Sequence, residues 1–204
     1  DRITLGFIGT GKQARGSLLP SFADKARIVA VCDVDSQKME KFRNVTQSLY
    51  EKQGLPANGI KQYDDFRELL SDKGIDGVVI ATPDHWHAVN VIEAAKAGKD
   101  IYCEKPFSHS IRQGRLMTDA VKKFGRVCQV GSMQRSMHNF WHACQLVRNG
   151  FLGEIQLIRV NIRGPHFLFP QSCNLPSQKT PESLNWDMWI GPARYRDYHE
   201  DLAP

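Results

Sequence analysis

Apolar runs that do not alternate with polar residues recur through the first 131 residues, and helix-like patterns separate them. A strand that is apolar on both faces must be buried on both, which is typical of a parallel sheet covered by helices on each side. The runs predict strands at 3–8, 28–32, 77–81, 100–103 and 127–130. Helices are predicted near 12–22, 36–49, 64–71, 85–97 and 110–124. The expected fold class is therefore α/β, with a Rossmann-type doubly wound parallel sheet.

Residues suited to helix ends support this pattern. Ser110 stands before apolar residues spaced three and four apart, and Gly125 follows the last of them. Asp84 and Gly98 bracket the preceding helix in the same way. Small polar residues cap helix N-termini and glycine ends helices, so both helices are predicted with defined ends.

The chain changes character after residue 131. A helix is predicted at about 136–149, followed by a strand over 150–164 whose apolar phase slips near Leu157-Ile158, which indicates a bulge. One strand cannot form a sheet. We therefore expect residues 132–204 to be the N-terminal part of a second, α+β domain, and the chain to lack the remainder of that domain.

Composition excludes several classes of protein. The 204 residues are 41% hydrophobic and 24% charged, and no apolar run approaches the ~20 residues that cross a bilayer, so no membrane partner is expected. The net charge of +5 is spread along the chain rather than gathered in a basic stripe, which argues against nucleic acid. The five cysteines have no C-x-x-C spacing and indicate a reducing compartment. We expect a cytoplasmic protein, or a periplasmic one if an N-terminal leader was removed.

A glycine-rich turn directly follows the first predicted strand. It reads Gly9-Thr10-Gly11, with Ala14 in the third small position, and Asp33 ends the second strand 22 residues after Gly11. This spacing is that of a dinucleotide-binding fingerprint, in which the backbone approaches a pyrophosphate at a helix N-terminus and the acid accepts hydrogen bonds from a ribose. The candidate cofactor-binding residues here are Gly9, Thr10, Gly11, Lys12, Gln13 and Asp33.

Asp33 also predicts which dinucleotide is bound. A 2′-phosphate beside this carboxylate would be repelled by roughly 4 kcal/mol per charge pair at ~4 Å and an effective dielectric constant of 20. No arginine follows Asp33 immediately to compensate. NAD is therefore favoured over NADP.

Polar residues end two further strands of the predicted sheet. Thr82-Pro83 follows the strand at 77–81, and Glu104-Lys105-Pro106 follows the strand at 100–103. Ligands of open parallel sheets bind outside the carboxyl ends of the strands, so both segments are expected to face one crevice. His87 fits either a position near the cofactor ribose or an ordinary position at a helix start.

Two histidine pairs raise the question of a metal. His85 and His87 are two residues apart, so they point in different directions on a helix. His138 and His142 are at the chelating i, i+4 spacing, but no acid or cysteine completes a set of ligands. No metal site is predicted.

Several of these segments together resemble one family. "GFIGTGKQARG", "VCDVD", "ATPDHWHA" and above all "GKDIYCEKPFSHSI" are similar to the glucose–fructose oxidoreductase, inositol dehydrogenase and MocA (Gfo/Idh/MocA) family. The resemblance continues through "VGSMQRS" and "LNWDMWIGPARYRDYHEDLAP". The E-K-P block is its most specific element.

The resemblance implies an NAD-dependent oxidoreductase that removes hydride from a hydroxyl of a sugar or polyol. Lys105 would be the catalytic lysine, beside the nicotinamide and hydrogen-bonded to the substrate oxygen. Additional cofactor contacts would come from Thr82, Pro83, His87 and Glu104, and substrate contacts from Lys105, Arg135 and Trp186. The implied partners are a small sugar or polyol and, in the full-length protein, further copies of itself.

The family also has an Asp/His pair in its second domain, whose histidine accepts the proton. No D-x-x-x-H motif follows residue 131, so this base is expected beyond residue 204 and the chain alone is expected to be inactive. Two alternatives stay open: an NAD-dependent glycoside hydrolase of the same family, and a non-catalytic nucleotide-binding sensor.

Trp186 and Trp189 suit two roles. Aromatic rings near a cleft can stack on a pyranose, and Trp186 is the better candidate because it follows the irregular, proline-rich stretch. The alternative is that both rings are packing anchors that hold this stretch onto the second domain. In either case we expect at least one of the two to be buried against protein.

Overall fold

The computed structural model describes residues 2–56, 58–162 and 174–203, and its central feature is a six-stranded parallel sheet. The strands are β1 (Thr4–Ile8), β2 (Arg27–Cys32), β3 (Lys61–Tyr63), β4 (Gly77–Ile80), β5 (Asp100–Cys103) and β6 (Cys128–Val130). They lie in the order β3-β2-β1-β4-β5-β6, so the winding direction reverses between β1 and β4. The predicted doubly wound parallel sheet is confirmed.

Helices connect successive strands. A π-helical turn (Ala14–Leu18) leads into α1 (Leu19–Ala23), and α2 (Ser36–Lys52), α3 (Phe66–Ser71), α4 (His87–Lys96) and α5 (Ile111–Lys123) follow, with a 3-10 turn (Asp84–Trp86) before α4. The Ser110 side chain accepts a hydrogen bond from the Gln113 N–H at the start of α5, as predicted. Gly98 and Gly125 have positive φ after α4 and α5, which ends both helices where the sequence indicates.

Each face of the sheet has its own apolar core. On one face α1 and α2 bury Leu19 and Phe42 against Phe7 of β1. On the other face α3, α4 and α5 bury Leu69, Val91 and Met117 among others. Since the central strands contribute residues to both cores, their continuous apolar sequence is explained.

The strand β3 is missing from the predicted elements. It has three residues, Lys61–Tyr63, none of which is fully buried, and it pairs only with β2 at the edge of the sheet. A strand this short and polar has no periodicity that distinguishes it from a loop.

The chain divides into two compact units. The first consists of Asp1–Gly131 together with Thr180–Arg196, and the second of Ser132–Lys179 together with Asp197–Pro204. We call Thr180–Arg196 the return segment, because the chain comes back with it to the first unit. It contains the short helix α7 (Trp186–Ile190). The sequence-based boundary, by contrast, assigns the whole of 132–204 to a second domain.

The second unit contains mainly helical turns among its described residues. They are a 3-10 turn (Met133–Ser136), the helix α6 (His138–Arg148) and a 3-10 turn (Glu200–Leu202). The helix predicted at about 136–149 corresponds to α6.

The predicted strand over 150–164 is not formed in the part that the structure describes. Residues 150–162 are neither strand nor helix, and Ile158, Val160 and Ile162 are exposed, the last of them 90%. A strand needs a hydrogen-bonded neighbour, and the described residues provide none for this segment. Residues 163 and 164 lie outside the described residues.

The helices of the described chain are short or amphipathic. None of them combines the length and the apolar character needed to cross a membrane.

Candidate functional site

The carboxyl ends of β1, β4 and β5 meet at one edge of the sheet, which we call the carboxyl edge. Three backbone hydrogen bonds fix the chain where it leaves these strands: Gly9 N–H to Cys32 O at 2.9 Å, Ala81 N–H to Ile8 O at 2.8 Å, and Glu104 N–H to Ile80 O at 2.9 Å. Because β1 and β4 are the strands between which the winding reverses, this is where a doubly wound sheet offers a ligand crevice.

Gly9 makes the first turn out of β1. Its φ is +88°, and a Cβ there would lie 2.7 Å from the backbone carbonyl of Ala81. Both the backbone conformation and the close approach of two chain segments therefore require glycine.

Gly11 occupies a different environment, although it is two residues away. No heavy atom lies within 4 Å of the position its Cβ would take. A helical turn starts at Lys12, and its first N–H groups lack acceptors within the helix. Open space above a glycine and free N–H groups together fit a pyrophosphate, so the residues present are compatible with a dinucleotide.

Thr10 connects this turn to the end of β2. It is completely buried, and its backbone N–H and its hydroxyl donate to the Asp33 Oδ2 atom at 2.6 and 2.7 Å. The Thr10 side chain therefore holds Asp33 in place, and its contact with a cofactor stays a prediction.

Asp33 is oriented by three donors in all, because the Asp35 N–H also donates to its Oδ1 atom at 3.0 Å. A carboxylate accepts about four hydrogen bonds, so these contacts leave capacity for about one more. A single ribose hydroxyl fits this capacity better than two hydroxyls would.

Glu104 links the glycine-rich turn to the end of β5. Its side chain is 5% exposed, it accepts a hydrogen bond from the Gln13 Nε2 atom at 3.2 Å, and it accepts another from the Lys105 N–H at 3.0 Å. A Cβ at Gly131 would come within 2.9 Å of Glu104, so the chain after β6 also confines this carboxylate. Glu104 is thereby fixed relative to the glycine-rich turn.

Lys105 is exposed, in contrast to its buried neighbour Glu104. Among the described residues its ammonium group takes part in none of the ion pairs of the structure. A lysine on an anchored turn at the carboxyl edge is thus free to donate to a ligand oxygen.

Cys103 precedes this turn but offers no nucleophile. Burial raises the pKa of its thiol to about 12, and the nearby Cys128 and Glu104 add to the increase. The thiolate is the reactive form of cysteine, so thiol chemistry is excluded for Cys103 near neutral pH.

His87 lies between the segments that follow β4 and β5. The side chain is 1% exposed, its Nδ1 atom lies 2.7 Å from the Pro106 carbonyl oxygen, and its Nε2 atom lies 2.9 Å from the Thr82 carbonyl oxygen. Both ring nitrogens face protein acceptors, so no polar atom of His87 is available to a cofactor ribose. The residue instead connects the segment after β4 to the segment that carries Lys105.

The remaining cofactor candidates differ in exposure. Lys12 and Pro83 are exposed, and the Thr82 hydroxyl accepts a hydrogen bond from the Asn90 Nδ2 atom at 3.2 Å. Their contact with a nucleotide stays a prediction. Arg135 is exposed and lies in the 3-10 turn of the second unit, and its contact with a substrate also stays a prediction.

Trp186 is packed within the first unit. The residue is 6% exposed, its ring stacks on that of Trp189 at 4.7 Å, and its Nε1 atom donates to the Arg196 carbonyl oxygen at 2.9 Å. The expectation that at least one tryptophan is buried is confirmed. The same burial leaves no ring face of Trp186 open to a pyranose, so packing within the first unit explains this residue better than sugar stacking.

The histidines in the described part of the chain form no cluster of ligands. The His138 and His142 rings are stacked at 5.9 Å on α6, and the described residues include no group of three or more histidine, cysteine, aspartate or glutamate side chains placed to hold a metal ion.

The contrast between the two glycines of the turn yields a prediction. Gly9→Ala is expected to lower the free energy of unfolding by at least about 2 kcal/mol, because it combines a positive φ with a backbone clash. Gly11→Ala is expected to leave stability nearly unchanged and to weaken NAD binding about tenfold or more, because its methyl group would occupy the space of the pyrophosphate. Urea denaturation and calorimetric titration with NAD measure the two effects. Similar effects of both substitutions on stability would contradict this interpretation.

Comparison with known proteins finds two family models that match this chain. Residues 3–132 match the Gfo/Idh/MocA model described as "Oxidoreductase family, NAD-binding Rossmann fold", and residues 139–203 match its companion described as "Oxidoreductase family, C-terminal alpha/beta domain". An uncharacterized oxidoreductase, YrbE, of Bacillus subtilis is 30% identical over 190 residues, which is 93% of this chain and 51% of that protein.

Two further similarities concern inositol dehydrogenases. Inositol 2-dehydrogenase of Salmonella typhimurium is 25% identical over 183 residues, covering 89% of this chain and 48% of that protein. A crystal structure of scyllo-inositol dehydrogenase from Lactobacillus casei, with bound NAD(H) and scyllo-inositol, is also similar. Its TM-score is 0.61 and its identity 23%, over 76% of this chain and 43% of that chain. This similarity shows a shared fold. The chain spans about half the length of the curated relatives it matches. With both family models together matching nearly its whole length, the chain belongs to the Gfo/Idh/MocA family of oxidoreductases, and residues 3–132 correspond to the NAD-binding Rossmann fold of that family.

Proposed function

We propose that the protein containing this chain oxidises a hydroxyl group of a polyol or sugar, with NAD as the hydride acceptor. The observation that carries the proposal is the hydrogen bond between Gln13 of the glycine-rich turn and Glu104, the neighbour of Lys105. This hydrogen bond connects the segment that carries the exposed Lys105 to the turn that would hold the pyrophosphate. A nucleotide site alone has no need of such a lysine.

The chemistry assigned to the chain's own residues is limited to binding and charge stabilisation. When bound, NAD supplies the acceptor for the hydride that leaves the carbinol carbon. Lys105 donates a hydrogen bond to the substrate oxygen and stabilises the negative charge that develops there as its proton departs. The proton passes to a base. We propose that this base is none of the described residues. Glu104 and His87 keep the turn of Lys105 in place from its two sides.

We propose polyols as the first substrates to test, because the Salmonella typhimurium relative is named an inositol 2-dehydrogenase. We further propose that residues 1–131 with the return segment form the nucleotide-binding domain, that the rest of 132–204 belongs to a substrate and oligomerisation domain, and that the protein forms homo-oligomers. A cytoplasmic location fits the free thiols of Cys32, Cys103, Cys128 and Cys144.

The test is NADH formation by the protein expressed from its gene, with a panel of inositols, aldoses and acyclic polyols. Oxidation produces NADH in proportion to the substrate consumed. Cleavage of aryl glycosides that needs NAD but forms no net NADH would instead identify a glycoside hydrolase. Tight NAD binding with neither activity would identify a nucleotide-binding sensor and overturn the proposed oxidation.

A further inference from the structure

The return segment is hydrogen-bonded to the chain immediately after β2. The Ser36 N–H donates to the Ser183 carbonyl oxygen at 2.9 Å, and the Asn185 N–H donates to the Val34 carbonyl oxygen at 2.9 Å. Between these two bonds, Asp35 and Leu184 form an antiparallel bridge. The return segment therefore adds a short piece of backbone pairing to the residues that follow Asp33.

The same segment is also attached to the chain after β4. The His85 Nε2 atom donates to the Trp189 carbonyl oxygen at 2.8 Å, and the Trp86 Nε1 atom donates to the Met188 carbonyl oxygen at 3.0 Å. Gly191 has a φ of +48°, and a Cβ there would lie 2.0 Å from the Trp86 ring. The segment and the start of α4 are thus in close contact along several residues.

Internal contacts make the return segment rigid enough to connect these two attachment points. The Asn185 side chain caps α7 by accepting from the Met188 N–H at 3.1 Å. The rings of Trp186 and Trp189 stack nearly parallel, with 14° between their planes. The cap and the ring stacking thus connect the part of the segment that pairs after β2 with the part that is attached after β4.

The two attachment points flank one half of the proposed nucleotide site. In the sheet, β2 and β4 lie on either side of β1, whose glycine-rich turn would hold the pyrophosphate. The acid at the end of β2 binds the ribose of the adenosine half in folds of this type. The loops after β2 and β4 therefore border the adenosine half, and the return segment joins them.

We propose that the return segment is a positioning element of the adenosine subsite, holding the loops after β2 and β4 at the separation that an adenine nucleotide requires. This rests on the proposed nucleotide site but not on the oxidation reaction. The return segment would thus serve the cofactor site, whereas the sequence suggests that its Trp186 contacts the substrate.

The test uses the 204-residue chain and two ligands, AMP and NAD. Gly191→Ala, which would push the segment away from Trp86, is expected to weaken the binding of both by about tenfold in calorimetric titrations. Trp86→Phe keeps an aromatic ring against Phe66 but removes the indole donor, and we expect a loss of about threefold. The fold-loss in affinity is expected to be equal for AMP and NAD, because both ligands contain the adenosine half whose subsite is affected.

Gly98→Ala is the matched control, since Gly98 also has a positive φ of +75° but has no heavy atom within 4 Å of its Cβ position. Titrations are made well below the thermal transition of each variant, with circular dichroism to verify folding. Unchanged AMP affinity in folded Gly191→Ala and Trp86→Phe would overturn the inference, as would a loss confined to NAD. Absence of AMP and NAD binding in the unmodified chain would overturn the nucleotide site itself, which is a different and recognisable result.

Hydrogen exchange gives an independent measurement that does not depend on the variants. If the segment positions the adenosine subsite, AMP must in turn stabilise the segment by linkage. We expect AMP to slow exchange of the Ser36 and Asn185 amide protons, and no slowing would contradict the proposal.

Discussion

Replacing Lys105 by alanine is expected to lower the turnover of the polyol substrate by about 10²-fold or more, which is the effect of losing a positioned acid–base or charge-stabilising group. The NAD affinity should stay within about threefold, because Lys105 is exposed and the anchoring contacts belong to its neighbours Glu104 and Pro106. Steady-state kinetics and calorimetric titration on the protein expressed from its gene provide the two values.

Lys122→Ala is a suitable control, since Lys122 is an exposed lysine in the last turn of α5. It removes the same charge from the first unit but lies away from the carboxyl edge, so turnover should be unchanged. If Lys105→Ala retained nearly full turnover, Lys105 would be an ordinary lysine of a surface turn.

The second large effect concerns the choice between NAD and NADP. We expect the unmodified chain to bind NAD about 5- to 10³-fold more tightly than NADP, because repulsion between Asp33 and one charge of a 2′-phosphate at ~4 Å amounts to about 1 kcal/mol in water and about 4 kcal/mol at an effective dielectric constant of 20. In Asp33→Asn the ratio of the two dissociation constants should fall at least about fivefold. The amide oxygen can still accept both hydrogen bonds from Thr10, whereas the bond from the Asp35 N–H is lost because an amide nitrogen replaces Oδ1. The two remaining bonds are expected to keep the turn in place.

Asp119→Asn serves as the control for net charge, since Asp119 is an exposed residue of α5. It changes the charge of the chain by the same amount without altering the carboxyl edge. Titration with both cofactors at several salt concentrations separates the local effect from the general one, because general charge effects are screened by salt. An equal affinity for NAD and NADP in the unmodified chain would refute the role of Asp33.

Contacts from distant segments hold the turn that carries Lys105. The lysine itself is exposed, while the carbonyl of the next residue is held by His87 and the carboxylate of the preceding residue by Gln13. Both anchors come from segments far away in the sequence. We therefore expect the orientation of Lys105 to respond to changes in the glycine-rich turn and at the start of α4.

The sequence alone determined the features that depend on local chemistry and on burial along one element. The continuous apolar strands predicted a parallel sheet covered on both faces, because a strand buried on both sides has no polar positions to alternate. The ends of α4 and α5 followed from Gly98, Ser110 and Gly125, since capping depends on a few adjacent residues. The glycine-rich turn and the acid at Asp33 were likewise readable from spacing.

Only the tertiary structure decided which side chains are free and which are used by the protein itself. Thr10, His87 and Trp186 are suitable ligand residues in the sequence, but each of them is buried with its polar atoms directed at other parts of the chain. The pairing of the return segment with the loop after β2 joins residues nearly 150 positions apart, such as Ser36 and Ser183. A segment of five helical residues has no periodicity that reveals its partner, so its location depends on contacts that no local pattern encodes.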